Sequence, residues 1–286
     1  MLCILDLSRA ISEQGKGQIE EKYGNLFRMY QKITGINAYT EPMRISPAAH
    51  FSMGGLWVDY ELMTNISGLY AVGEANFADH GANRLGANSL LQACVDGYFI
   101  APYRIPNYLA DEIKTGPVDV NHSAFTAAEK AARQQLQRLL NIQGTMPADQ
   151  FHKALGRILY DKCGLSRSRA GLEEAIASIR TLRDQFYSEL SVPGGPDMNS
   201  ELEKAGRVAD YLEVGELMCY DALTREESCG AHFREEHQTS DGEAVCNDQD
   251  FAFTSAWEWA GAGQDPIWHK EPLRIDYVTP TVRSYK

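Results

Sequence analysis

The residue types able to do chemistry gather in one part of the chain. They are His50 with Phe51-Ser52-Met53-Gly54-Gly55, then Gly73-Glu74, then His80-Gly81-Ala82-Asn83-Arg84-Leu85-Gly86-Ala87-Asn88-Ser89-Leu90-Leu91. Arg84 carries a planar guanidinium fork matched to a carboxylate. His50 can donate to a carboxylate whether neutral or charged. A helix starting at Asn88 or Ser89, both good caps, puts the amides of Ser89 and Leu90 at its positive end, where a group gaining negative charge is stabilised. Glu74 can accept from hydroxyls, and glycines at 54 and 55 let the backbone lie close to a flat ring. Taken singly, Arg84 reads as a salt-bridged surface arginine, His50 as a core histidine and Glu74 as a surface carboxylate. Only together do they describe a site. His80 reads as a residue that shapes the loop.

Strands and one helix must position these groups. An apolar run over 68–72 predicts a strand delivering Gly73-Glu74, and alternation over 56–60 predicts another. Leu90, Leu91, Ala93, Val95 and Phe99 predict a buried helix that ends near Pro102, with Pro106 at its exit. Ahead of the site come a strand over 1–7, a helix from Ser8 with glycine turns at Gly15 and Gly17, a helix over 20–34 with Gly35 as its C-cap, and an extended passage over 43–46. That the chain opens in a strand, with no cap or tail, suggests that it begins inside a larger architecture.

Past a linker-like stretch over 111–121 the chain turns helical. Helices are predicted over 124–142, over 147–163, from a cap at Ser166 or Ser168, and over 200–223. Leu172, Ala175, Ile176, Ile179, Leu182, Phe186 and Leu190 mark one face of the third. Short turns make this an antiparallel bundle whose role is packing. Alternation over 251–259 and 273–278 predicts a closing pair of strands.

Bulk properties narrow the function. The chain has 286 residues and a net charge of -12, with no Lys/Arg-rich run, which disfavours nucleic acid as a partner. No apolar run approaches the roughly 18 residues of a membrane helix. Six cysteines without paired spacing read as reduced, mostly buried thiols. Cys229, His232, His237 and Cys246 superficially offer four zinc ligands, but the last gap is irregular and the packing reading is preferred.

Taken together, His50, Met53-Gly54-Gly55, Gly73-Glu74 and the stretch from His80 to Leu90 resemble, in order, content and approximate spacing, the flavoprotein subunits of succinate dehydrogenase and fumarate reductase. The resemblance is greatest to the bacterial branch and continues to Arg283-Ser284-Tyr285. It covers essentially the whole chain but only the C-terminal half of the family's length. Glu74 and Arg84 stand one residue closer than in the mitochondrial-type members, and Gly97-Tyr98 stands where those have Gly-Arg. Arg225, Ser228, Gly230, Ala231, His232 and Arg234 resemble a family stretch in which Cys229 replaces an arginine.

The resemblance implies FAD as cofactor and a dicarboxylate substrate held by His50 and Arg84. It implies flavin contacts from Phe51, Gly54, Gly55, Glu74, Ser89 and Leu90. It places no catalytic residue in this chain, because the family's proton-shuttling arginine falls before Met1, as does the histidine that attaches the flavin. No G-x-G-x-x-G follows a strand, so the adenine and pyrophosphate half of the site is absent and the chain alone is expected to bind flavin weakly or not at all and not to turn over. The implied fold class is α+β: the end of a capping domain (1–42), the C-terminal segment of a FAD-binding α/β domain (43–110), a helical domain (111–230) and a small β-containing C-terminal domain (231–286). The implied partners are an iron-sulfur subunit and, through it, a membrane anchor subunit, with the protein peripheral at the cytoplasmic face of the cell membrane. An L-aspartate oxidase and a truncated, non-catalytic partner-binding product are the alternatives.

Overall fold

A computed structural model describes residues 3–46, 53–77, 80–81, 84, 86–261, 264–279 and 281. The chain divides into two units, Met1–Ser52 and Met53–Lys286. His50, Phe51 and the closing Arg283-Ser284-Tyr285 lie outside the described residues.

In the first unit β1 (Cys3–Leu5) pairs antiparallel with β2 (Met43–Ile45). Between them run α1 (Ser8–Gln14) and α2 (Lys16–Thr34). Gly15, at φ 84°, makes the turn that separates the helices, whereas Gly17 lies inside α2 rather than in a turn. Gly35 closes α2 in the left-handed conformation, as its position predicts, and donates to the Gln31 carbonyl at 2.8 Å. Ile19 and Phe27 bury against Ala38 and Met43, and Tyr39 meets the Phe27 ring edge-on at 5.1 Å.

The second unit is dominated by the predicted bundle. α5 (Ser123–Leu140), α6 (Ala148–Lys162), α7 (Arg169–Glu189) and α8 (Ser200–Thr224) start where local chemistry says they should. Ser168 accepts from the Gly171 amide to cap α7, and Asn199 accepts from Glu201 and Leu202 to cap α8. The whole predicted face of α7 is buried, from Leu172 through Phe186 to Leu190. Phe151 and Phe186, both without exposed surface, pack edge to face at 5.2 Å.

A buried arginine ends α8. Nη1 of Arg234 donates to the carbonyls of Ala222 at 2.8 Å and Leu223 at 3.1 Å, satisfying acceptors the helix leaves unpaired. His232 is locked beside it: Nη1 of Arg167 donates to Nδ1 at 2.8 Å, and Nε2–H donates to the Arg225 carbonyl at 2.9 Å. Burial holds this imidazole neutral, its pKa pushed down to about 4. With both nitrogens committed, His232 has no lone pair left for a metal. Among the described residues no group of three or more His, Cys, Asp or Glu is placed to hold one. Of the cysteines, Cys163 and Cys219 are buried, Cys229 and Cys246 half-buried and Cys94 exposed, and all five are free thiols.

Four predicted elements differ. After a short parallel pair, β3 (Met146–Pro147) with β4 (Leu190–Ser191), the C-terminal hairpin pairs β5 (Phe253–Glu258) with β6 (Ile267–Pro272), not with 273–278. The polar run His269-Lys270-Glu271 hides the alternation in β6, but Trp268 stacks on Trp257 at 5.6 Å and sets the register. The segments 56–60 and 68–72 are not strands. Each makes single bridges, Leu56 with Asn76 and Met63 with Tyr70, because among the described residues neither finds a partner along its length. The helix expected to stop near Pro102 continues: α3 (Asn88–Val95) passes through a π turn (Asp96–Ile100) into α4 (Ala101–Glu112). Pro102 falls in the first turn of α4, where a missing amide costs nothing, and α4 also accommodates Pro106.

No helix among the described residues is long and apolar enough to cross a membrane.

Candidate functional site

The site is built on a short 3-10 turn, Gly73–Ala75, held from two sides. On one side the backbone of Leu56 bonds to it twice, Leu56 N donating to Ala75 O and Phe77 N to Leu56 O, each at 2.9 Å. The approach is so close that a Cβ on Gly55 would lie 2.4 Å from the carbonyl oxygens of both Ala75 and Asn76. Gly55 is therefore obligatory for this backbone contact, a different use from the ring approach expected of it. Gly54 is exposed, with φ 110°. On the other side stands Asp96 of the π turn, whose Oδ2 accepts from Gly73 N at 2.9 Å and from Asn76 Nδ2 at 3.1 Å.

From this turn Glu74 projects toward His80. Its Oε2 lies 3.2 Å from Nε2 of His80, whose Nδ1 lies 2.9 Å from the Gly81 carbonyl. The other oxygen, Oε1, is buried and has no hydrogen-bond partner among the described residues. A buried carboxylate oxygen without a donor is costly, so it marks a place where a donor belongs. His80 thus does more than shape the loop: it holds one oxygen of Glu74 and leaves the other open. Sequence spacing does not reveal this pairing, because the two stand six positions apart on no common helix or strand period.

Arg84 and the start of α3 come together as expected, but through a contact no spacing argument supplies. Nη1 of Arg84 donates to the Ser89 hydroxyl at 2.5 Å. The helix N-cap is neither Asn88 nor Ser89 but Ala87, at φ 66° and without a side-chain cap. A left-handed alanine is strained, and such strain collects at functional sites. The first helical bond runs from Leu91 N to Ala87 O at 3.0 Å, so the amides of Ser89 and Leu90 precede the ladder and have no partner within it.

The helix itself is not buried as its apolar run predicts. Leu90 and Leu91 are 71% and 64% exposed, and Phe99 is exposed as well. Among the described elements α3 packs chiefly against the Gly73–Ala75 turn and the π turn, and Leu90, Leu91 and Val95 stay exposed.

Comparison with known proteins adds the lineage. Residues 4–90 match the family model described as FAD binding domain, and residues 152–285 that described as fumarate reductase flavoprotein C-term. The chain is 28% identical to the succinate dehydrogenase flavoprotein subunit of Bacillus subtilis over 276 residues, 96% of this chain and 46% of that protein. It is 31% identical to an L-aspartate oxidase of Nostoc over 231 residues, 76% of this chain and 38% of that protein. The Escherichia coli quinol fumarate reductase superposes with a TM-score of 0.78 at 26% identity, covering 98% of this chain and 46% of that one.

The matches place the chain with the C-terminal part of FAD-linked flavoproteins. The chain belongs to the succinate dehydrogenase and fumarate reductase flavoprotein family, whose members are FAD-dependent oxidoreductases. It spans less than half the length of the relatives it matches.

Proposed function

We propose that this chain is the C-terminal portion of a flavoprotein that interconverts succinate and fumarate, with FAD carrying the hydride and electrons passing to an iron-sulfur partner docked on a membrane anchor. The observation that carries the reading is Oε1 of Glu74, buried and without a hydrogen-bond partner among the described residues, on a turn that packs against α3, at whose start Arg84 pairs with Ser89. A cofactor hydroxyl supplies the donor that Oε1 lacks, so the residues present fit the flavin.

FAD, when bound, supplies hydride acceptance or donation. The chain's own residues bind and orient. Glu74 accepts from a cofactor hydroxyl, and the amides of Ser89 and Leu90 at the α3 N-terminus favour negative charge on the reduced ring. Gly54 and Phe51 add backbone contacts. Arg84 offers its fork to a substrate carboxylate while the Ser89 hydroxyl steadies it, and His50 takes a second substrate contact.

The division at 42, 110 and 230, the peripheral place at the cytoplasmic face of the membrane, and the low flavin affinity and inactivity of the isolated chain belong to the same proposal. The chain holds no G-x-G-x-x-G, which supports the last point.

The L-aspartate oxidase reading is kept because one such enzyme is among the relatives. Dye reduction assayed on the flavoprotein containing this chain separates the two. Reduction with succinate and not with L-aspartate is expected, and the reverse result would replace the proposal.

A further inference from the structure

Asp96 is a carboxylate 2% exposed, set in the otherwise apolar run Ala93-Cys94-Val95-Asp96-Gly97-Tyr98-Phe99-Ile100. A charged group in such a place must hold something. It stands at the first residue of the π turn between α3 and α4, and π turns of this kind recur at functional sites.

What it holds is the turn that carries Glu74. Gly73 has φ 60°, a conformation side-chain-bearing residues seldom adopt, and its inward amide needs an acceptor. Oδ2 of Asp96 provides it at 2.9 Å. The same oxygen accepts from Asn76 Nδ2 at 3.1 Å. Asn76 in turn reaches the Ala71 carbonyl at 3.3 Å and accepts from Gln92 Nε2 of α3 at 3.1 Å. Opposite this cluster lies the Gly55–Leu56 backbone. Glu74 is therefore mounted on a turn pinned at residues 73 and 76 from one side and at 75 and 77 from the other.

We propose that Asp96 is a positioning residue of the flavin site, fixing through Gly73 and Asn76 the turn that presents Glu74 to a cofactor hydroxyl. This deepens the proposed function and rests on its reading of Glu74. Both bonds fall on one oxygen, so asparagine at 96 can keep them with its carbonyl, whereas alanine loses both. A residue that only filled space would not distinguish the two.

The test is titration of FAD into the apo form of the flavoprotein containing this chain, by quenching of flavin fluorescence, with thermal unfolding followed in parallel. Asp96→Ala should raise the FAD dissociation constant about tenfold, and Asp96→Asn should stay close to the unsubstituted protein. In a Glu74→Ala background Asp96→Ala should add little further loss, because it acts through Glu74. Unchanged affinity in Asp96→Ala while Glu74→Ala is weakened would overturn the role of Asp96 and leave the flavin reading standing. Full additivity of the two losses would also overturn it. Unchanged affinity in Glu74→Ala, or no flavin uptake at all, would overturn the flavin reading and this inference with it. Should Asp96→Ala not fold, Asn76→Asp sets a second carboxylate against Asp96, and an unaltered affinity there would count against the proposal equally.

Discussion

Oε2 of Glu74 lies 3.2 Å from Nε2 of His80, while Oε1 of the same carboxylate is buried with no partner among the described residues. One oxygen is spent on holding the side chain and the other is available. Glu74→Ala should therefore weaken FAD binding by roughly tenfold or more, the worth of a hydrogen bond to a charged group. Equilibrium dialysis of FAD against the apo form of the flavoprotein containing this chain measures it, and an unchanged affinity would remove Glu74 from the site.

Gly55→Ala should damage the same site without touching its chemistry. The added Cβ would stand 2.4 Å from two backbone oxygens that belong to no flexible side chain, so the Gly73–Ala75 turn must move away. A loss of about 1–3 kcal/mol in local stability is expected from such overpacking. Faster amide exchange over residues 73–77, with exchange in the bundle unchanged, is the signature.

The bundle should be sensitive to cavities and indifferent to flavin. Phe186 is fully buried against Phe151, and Phe186→Ala should cost about 3–5 kcal/mol in urea unfolding. A cost below about 1 kcal/mol would mean that the core described here is not the one that forms.

His232 should make the protein acid-labile in a defined window. Its folded pKa is about 4 against an ordinary value of 6.5, because burial disfavours the charged ring and the neighbouring Arg167 adds to the effect. Between these values the unfolded chain binds a proton that the folded chain does not. The stability from neutral His232 is thus full above about pH 6.5 and is lost as pH falls toward 4, by roughly 3 kcal/mol in total. Urea midpoints at pH 7 and pH 5 should show the decline, and His232→Gln should flatten it. An equal slope in both proteins would refute the assignment.

The sequence by itself determined the elements whose causes are local. Ser168 and Asn199 start their helices, Gly35 ends one, and the spacing of Leu172, Ala175, Ile176 and Ile179 names the buried face of α7, because caps and the 3.6-residue period act within a few residues. The motif order from His50 to Leu90 likewise pointed to the family. Tertiary structure alone decided what depends on groups distant in the chain. β6 was assigned by Trp268 stacking on Trp257, the 56–60 and 68–72 segments by the lack of strand partners, and the exposure of Leu90 and Leu91 by what does not cover them. The contacts of Glu74 with His80, Arg84 with Ser89 and Asp96 with Gly73 span 6, 5 and 23 residues across loops, a turn and a π bulge. Loops and bulges follow no fixed period, so residue spacing could place these groups near one another but could not say which oxygen would be left without a donor.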